Sequence, residues 1–202
     1  MDTIPAILFR SIFVDNLALS FLLGMCTFLA ISRRLENAIG LGIAVVGVQT
    51  LSVPLNYIVF NLFLAPGAWR WLGLDIVDLS YLKFIVFIGV IASFVQVLEI
   101  VLERYFVNLH RSLGVYLPLL TVNCAILGGS LFMVQRDYNF NESVAWGFGS
   151  GVGWALAIIL FAALRERVRY SDAPLAMQGL GVTFLLCGFL SLAFTSLRGL
   201  AG

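Results

Sequence analysis

The sequence predicts an all-α membrane protein of six transmembrane helices, arranged as two inverted three-helix repeats with no separate soluble domain. Three observations carry this reading. Hydrophobic residues make up 61% of the 202-residue chain and charged residues only 11%, whereas a soluble domain is about a quarter charged. A chain this apolar needs lipid as most of its solvent. The apolar residues gather into six stretches, at about 12–32, 38–63, 80–101, 113–134, 144–164 and 178–197, each near the length that crosses a bilayer. Two cysteines, Cys26 and Cys124, stand 98 residues apart, each in the first apolar stretch of its half. The repeats would cover about residues 1–103 and 104–202 of a single transmembrane domain.

The first stretch contains FLLGMCTFLA, Phe21 to Ala30, with Cys26 shortly after Gly24. No basic region or small-residue cleavage site precedes it, so it is expected to be retained. The second stretch opens on Gly40-Leu-Gly42, and the fifth on Gly147-Phe-Gly149. The fifth goes on to Gly153, with small residues paired at 147/151 and 149/153. That spacing is expected to bring helices into close backbone contact; a phosphate-cradling loop is excluded, because such a loop follows a strand and opens a soluble helix. The fourth stretch repeats the cysteine pattern in LTVNCAILGG, Leu120 to Gly129. Cys187 in the sixth stretch has no counterpart in the first half, where position 89 is Gly89. It is read as a packing residue.

Orientation follows the cations of short loops. The first, third and fifth loops carry Arg33, Arg34, Arg104, Arg111, Arg165, Arg167 and Arg169. The second and fourth carry Arg70 and Arg136, offset by Asp75, Asp78, Asp137 and Glu142. Odd loops are therefore expected in the cytoplasm and both termini outside. The three-span halves would then be inverted with respect to each other, an arrangement that sets functional groups at mid-membrane. A net charge of +1 offers no basic face for nucleic acid.

Intramembrane charge is costly, so each instance needs a role. Asp15, beside Asn16, is expected to pair with Arg10, and Lys83 to snorkel. Glu99 and Glu103 share a helix face at the end of the third stretch; they are read as an interfacial anchor, with an ion route as the alternative. His110, the chain's sole histidine, falls in a loop.

The cysteine pair is the strongest candidate for chemistry. A lone buried thiol is usually a small hydrophobe. Here the thiols occupy matching places, and each stands beside helix-loosening residues: Gly24 before Cys26, and Asn123 before and Gly128-Gly129 after Cys124. Irregular backbone at membrane depth is tolerated only where protein buries it or it lines a cavity, and free N–H groups near a thiolate favour its ionised form. Soft thiolates select zinc, copper(I) or iron–sulfur clusters. Two thiols are half of the usual four-cysteine set, so a homologous membrane partner is expected to bring the rest. A small secondary transporter is the rival class, but it gives the cysteines no role.

The segments LGMCTF at Leu23, LPLLTVNCA at Leu117, FMVQRDY at Phe132 and YSDAP at Tyr170 resemble the E-type membrane subunits of bacterial Na+-translocating NADH:quinone reductases. The third segment separates these from their cousins in the Rnf ferredoxin:NAD electron-transport complexes, which remain the nearest alternative. The resemblance spans nearly the whole chain. It implies interrupted cysteine-bearing helices and a bacterial inner-membrane location. It also implies a [2Fe–2S] centre shared with the homologous D-type subunit, to which Cys26 and Cys124 would contribute as ligands. The A, B, C, D and F subunits would be the partners, holding FAD, FMN, riboflavin, NADH and quinone. The chain would be an electron-relay subunit of a translocase that moves Na+, catalytic only within that assembly.

Overall fold

Ile4 begins the first helix, with a proline in its opening turn where the missing N–H costs nothing. The computed structural model describes residues 3–32, 34–65, 80–105, 120–169 and 180–200. In chain order its helices are α1 (Ile4–Phe9), extended by a π-helical turn Arg10–Val14; α2 (Met25–Ile31); α3 (Leu35–Val59), extended by a π-helical turn Phe60–Leu64; α4 (Lys83–Tyr105); α5 (Cys124–Gln135); α6 (Phe140–Arg169); and α7 (Leu180–Leu200). Among the described residues all regular structure is helical. A short 3-10 turn, Ser80–Leu82, leads into α4. Glu142 in the first turn of α6 accepts from the Asn139 N–H at 2.9 Å, half of a capping box.

Among the described residues, three helical stretches are long and apolar enough to cross a membrane: Leu35–Leu64, Lys83–Tyr105 and Phe140–Val168. They correspond to the second, third and fifth stretches of the sequence reading. The first, expected at 12–32, differs. Helix starts at Ile4, stops at Val14 and resumes only at Met25. The intervening residues are as apolar as a helix, so hydropathy alone does not register the gap. The fourth stretch is likewise broken, and α5 starts at Cys124 itself. The expected residues 113–119 lie outside the described residues, as do His110 and the loop charges Arg33, Arg70, Asp75, Asp78 and Arg111.

Helices α3 and α6 form the centre and make the most extensive contact in the fold. They run antiparallel and close on glycine. A Cβ on Gly42 would stand 3.1 Å from that of Ala155, one on Gly147 would stand 3.0 Å from the Gln49 carbonyl oxygen, and one on Gly151 would stand 3.0 Å from the Val46 Cα. Gly153 and Gly149 turn to the first segment instead. A Cβ on Gly153 would stand 3.0 Å from the carbonyl oxygens of Ser11 and Ile12, and one on Gly149 would overlap the Ser11 hydroxyl. The two small-residue pairs thus serve close packing, as their spacing implies, each towards its own neighbour.

Polar groups join the helices inside this centre. Gln49 Nε2 donates to Ser150 Oγ at 3.2 Å, and Asn56 Nδ2 donates to Ser130 Oγ at 2.8 Å. Near the end of α2, Arg165 donates to Ser32 Oγ at 2.7 Å and to the Leu29 carbonyl at 3.2 Å, partners for the groups a helix C-terminus leaves open. Helix α4 lies outermost and exposes Phe84, Ile85, Ile88, Val97 and Ile100. Along it, Lys83 is half-buried near the Phe84 ring, Glu99 is half-buried and Glu103 is exposed.

Candidate functional site

The two helix breaks meet, and the cysteines stand where they meet. The first break, Asp15 to Gly24, is built around Asn16, which is fully buried. Its Oδ1 accepts from the backbone N–H groups of Ala18 and Leu19 at 3.0 and 3.2 Å. Its Nδ2 donates to the Ile12 carbonyl at 3.0 Å and to the Gly153 carbonyl at 2.8 Å. One side chain therefore serves three backbone groups that the interruption of the helix sets free and ties the break to α6 through the Gly153 carbonyl. Buried backbone groups have to be paired, and in lipid no water is at hand to do it. Ser20 Oγ donates to the Val14 carbonyl at 3.0 Å, and Ser191 of α7 donates to the Leu19 carbonyl at 2.7 Å.

Asp15 is buried beside Asn16. Its Oδ2 accepts from Arg10 Nε at 2.9 Å and from Arg136 Nη2 at 2.8 Å. The sequence predicts the Arg10 pairing; the Arg136 pairing spans 121 residues and leaves no local signal. Arg136 also donates to Tyr138 Oη at 3.1 Å and lies 4.7 Å from the Trp146 ring centroid. It ties the start of the first break to the end of α5.

The break ends in two residues of positive φ, Leu22 at 54° and Gly24 at 85°. Glycine is required at the second position on two counts. The left-handed conformation disfavours a Cβ, and a Cβ there would lie 2.6 Å from Trp154 Nε1 and 3.0 Å from Asn123 Oδ1. Helix α2 then begins, with Cys26 its second residue.

The second break is short. Asn123 precedes α5 as its N-cap, its side chain accepting from the Ala125 N–H at 3.0 Å, and Cys124 is the first helical residue. The Gly24 backbone N–H donates to Cys124 Sγ at 2.9 Å. The thiol of one half is thus bonded to the backbone of the other half, two residues from the other cysteine. Cys26 is exposed and Cys124 half-buried. Cys187 is buried in α7, where its thiol donates to the Met25 sulfur at 3.5 Å. It packs against Met25, the residue before the exposed Cys26. Among the described residues no three His, Cys, Asp or Glu side chains come together as a metal-binding group.

Residues 4–201 match the family model described as "Rnf-Nqr subunit, membrane protein". The chain belongs to this Rnf-Nqr family of membrane subunits. Among curated family members, the E subunit of the Na(+)-translocating NADH-quinone reductase of Psychromonas ingrahamii is 56% identical over 200 residues, 99% of each chain. The corresponding E subunits from Marinobacter nauticus and Nitrosomonas europaea are 56% and 54% identical, the first over 100% and the second over 99% of each chain. Within this Rnf-Nqr chain, sequence reasoning finds Cys26, Cys124, Gly24 and Asn123. It misses the part played by Asn16 and Trp154, each of which has a partner more than a hundred residues away.

Proposed function

We propose that this chain is the E-type subunit of a Na+-translocating NADH:quinone reductase, and that Cys26 and Cys124 are half of the ligand set of an intramembrane [2Fe–2S] centre shared with the homologous D-type subunit. The observation that carries the reading is the Gly24 N–H bond to Cys124 Sγ at the point where the two breaks join, with Cys26 exposed beside it. The residues fit such a group in three ways. The donor set is a pair of thiols, which suits iron and sulfide. Gly24, packed too closely against Trp154 and Asn123 to carry a Cβ, brings a backbone N–H onto a ligand sulfur. Among the described residues, the buried amide nitrogen of Asn123, the residue before Cys124, meets no hydrogen-bond partner, so it has a donor to spare. An exposed Cys26 also fits a centre completed from outside the chain.

When bound, the centre would supply one-electron transfer at mid-membrane, between flavins held by other subunits. The chain's own residues hold it there. Asn16 keeps the first break open, Asn123 starts α5 at Cys124, and Gly24 turns its N–H onto the sulfur. The full reading includes six spans as two inverted repeats and both termini on the periplasmic face of the inner membrane. The partners in it are the A, B, C, D and F subunits with their flavins, NADH and quinone. Electron transfer through the chain is coupled to Na+ export by the complex.

The test is iron and sulfide analysis with EPR on the purified complex. Cys26→Ala and Cys124→Ala should each abolish the centre and stop quinone reduction, while NADH oxidation by artificial acceptors persists. The double variant should be no worse than either single one, since the residues act as a unit. Full iron and normal turnover with either cysteine replaced would overturn the proposal.

A further inference from the structure

Trp154 lies in the middle of α6, 1% exposed. Its ring is set edge-on to Phe28, with centroids 6.0 Å apart and an interplanar angle of 82°. Its indole N–H donates to the Leu23 carbonyl oxygen at 3.3 Å. That carbonyl and the Gly24 N–H are the two ends of one planar peptide group, and in a trans peptide they point in opposite directions. The Gly24 N–H donates in turn to Cys124 Sγ. Three groups therefore stand in series: the indole N–H, the Leu23–Gly24 peptide and the thiol. The preceding Leu22–Leu23 peptide is anchored as well, its Leu23 N–H donating to the Leu17 carbonyl at 2.9 Å.

We infer that Trp154 is a positioning residue for the cysteine pair: it polarises and aims the one peptide that donates to Cys124, and so sets the reduction potential of the centre bound there. The inference rests on the reading of Cys26 and Cys124 as cluster ligands. Its physics is cooperative hydrogen bonding. Donation to a peptide oxygen shifts charge through the amide and strengthens the donation from its N–H. A hydrogen bond to a ligating sulfur stabilises the more electron-rich, reduced state and raises the potential. The indole also fills the space a Gly24 Cβ would need, so it fixes the direction of the N–H as well as its strength.

The relay predicts an effect of one sign. Trp154→Phe keeps an aromatic ring but removes the donor, so the potential of the centre should move in the negative direction. With one bond in the series weakened, the ratio of reduced to oxidised centre at fixed potential should fall about two- to threefold, ~20–30 mV at 59 mV per tenfold. The experiment is an EPR-monitored redox titration of the purified complex carrying Trp154→Phe. Trp146→Phe serves as control, because that indole donates to the Gly129 carbonyl and has no part in the series. Replacing Trp154 with benzothienylalanine, which keeps the two-ring shape and lacks the N–H, covers the case in which phenylalanine disturbs assembly. A negative shift for either Trp154 replacement, absent from the control, supports the relay. A centre present at full occupancy with unchanged potential overturns it. A centre that survives removal of Cys26 or Cys124 defeats the ligand reading instead, so the two failures are distinct.

Discussion

The two helix breaks solve one problem in different ways. The first runs from Asp15 to Gly24, and Asn16 and Ser20 within it serve four of the freed backbone groups, but it is held in place from elsewhere: Trp154 and Ser191 donate to its carbonyls, Gly153 accepts from Asn16, and Arg136 binds Asp15 at its start. The second amounts to Val122 and Asn123, and Asn123 supplies its own cap. The first is thus a product of tertiary structure, and the second is written locally. Each cysteine inherits the character of its break. Cys26 is placed by contacts from the second half of the chain, and Cys124 by the residue before it.

Gly24 is where the two breaks touch, so it gives the largest expected effect. Gly24→Ala adds a methyl group 2.6 Å from the Trp154 indole nitrogen at φ 85°, and the left-handed conformation alone costs about 1–2 kcal/mol. The N–H bond to Cys124 should be lost, and with it most of the iron and EPR signal of the complex. Retention of full iron would mean that the two breaks do not depend on each other.

Asn16→Ala comes next. It leaves three backbone groups at the break without their present partner, and an orphaned buried group costs about 1–3 kcal/mol. A total on the order of 3–5 kcal/mol should appear as a marked fall in thermal stability of the detergent-solubilised complex. Asn123→Ala removes one cap bond and should cost about 1 kcal/mol. The comparison is therefore sharpened by ranking: if Asn123→Ala is as damaging as Asn16→Ala in the same melting experiment, the second break is not self-contained.

Cys187→Ala should have the smallest effect. The side chain is buried and touches Met25, and the change removes one sulfur from a packed site. Iron content should be unchanged, and stability should fall by under about 1.5 kcal/mol. Loss of the centre would show that the exposed and half-buried thiols are not the relevant pair.

The contrast between the breaks also explains what is legible in the sequence. The position of Cys124 can be read, because asparagine before and glycines after it are local signals. The glycine spacing in α6 can be read for the same reason. The first break cannot be placed, because Leu17, Ala18, Leu19, Phe21, Leu22 and Leu23 are apolar enough to pass for helix. What breaks the helix there is Asn16, and its effect depends on Gly153 reaching it. Trp154 passes for ordinary filling of an apolar span unless its partner, Leu23, is known. Asp15 gives up its near partner, Arg10, and hides its distant one, Arg136.

The glycine seam between α3 and α6 has a mechanical consequence. Gly147 and Gly151 face α3, while Gly149 and Gly153 face the first segment. Turning α6 about its axis by one residue, about 100°, would replace these glycines with Phe148, Ser150, Val152 and Trp154 at contacts where an added Cβ already lies 3.0 Å or less from its neighbour. Sliding α6 by one residue would do the same. The central pair is therefore keyed like a shaft in its slot and has one register only. The outer helices carry no such key: Gly89 of α4 and Gly181 and Gly188 of α7 would each leave an added Cβ in open space.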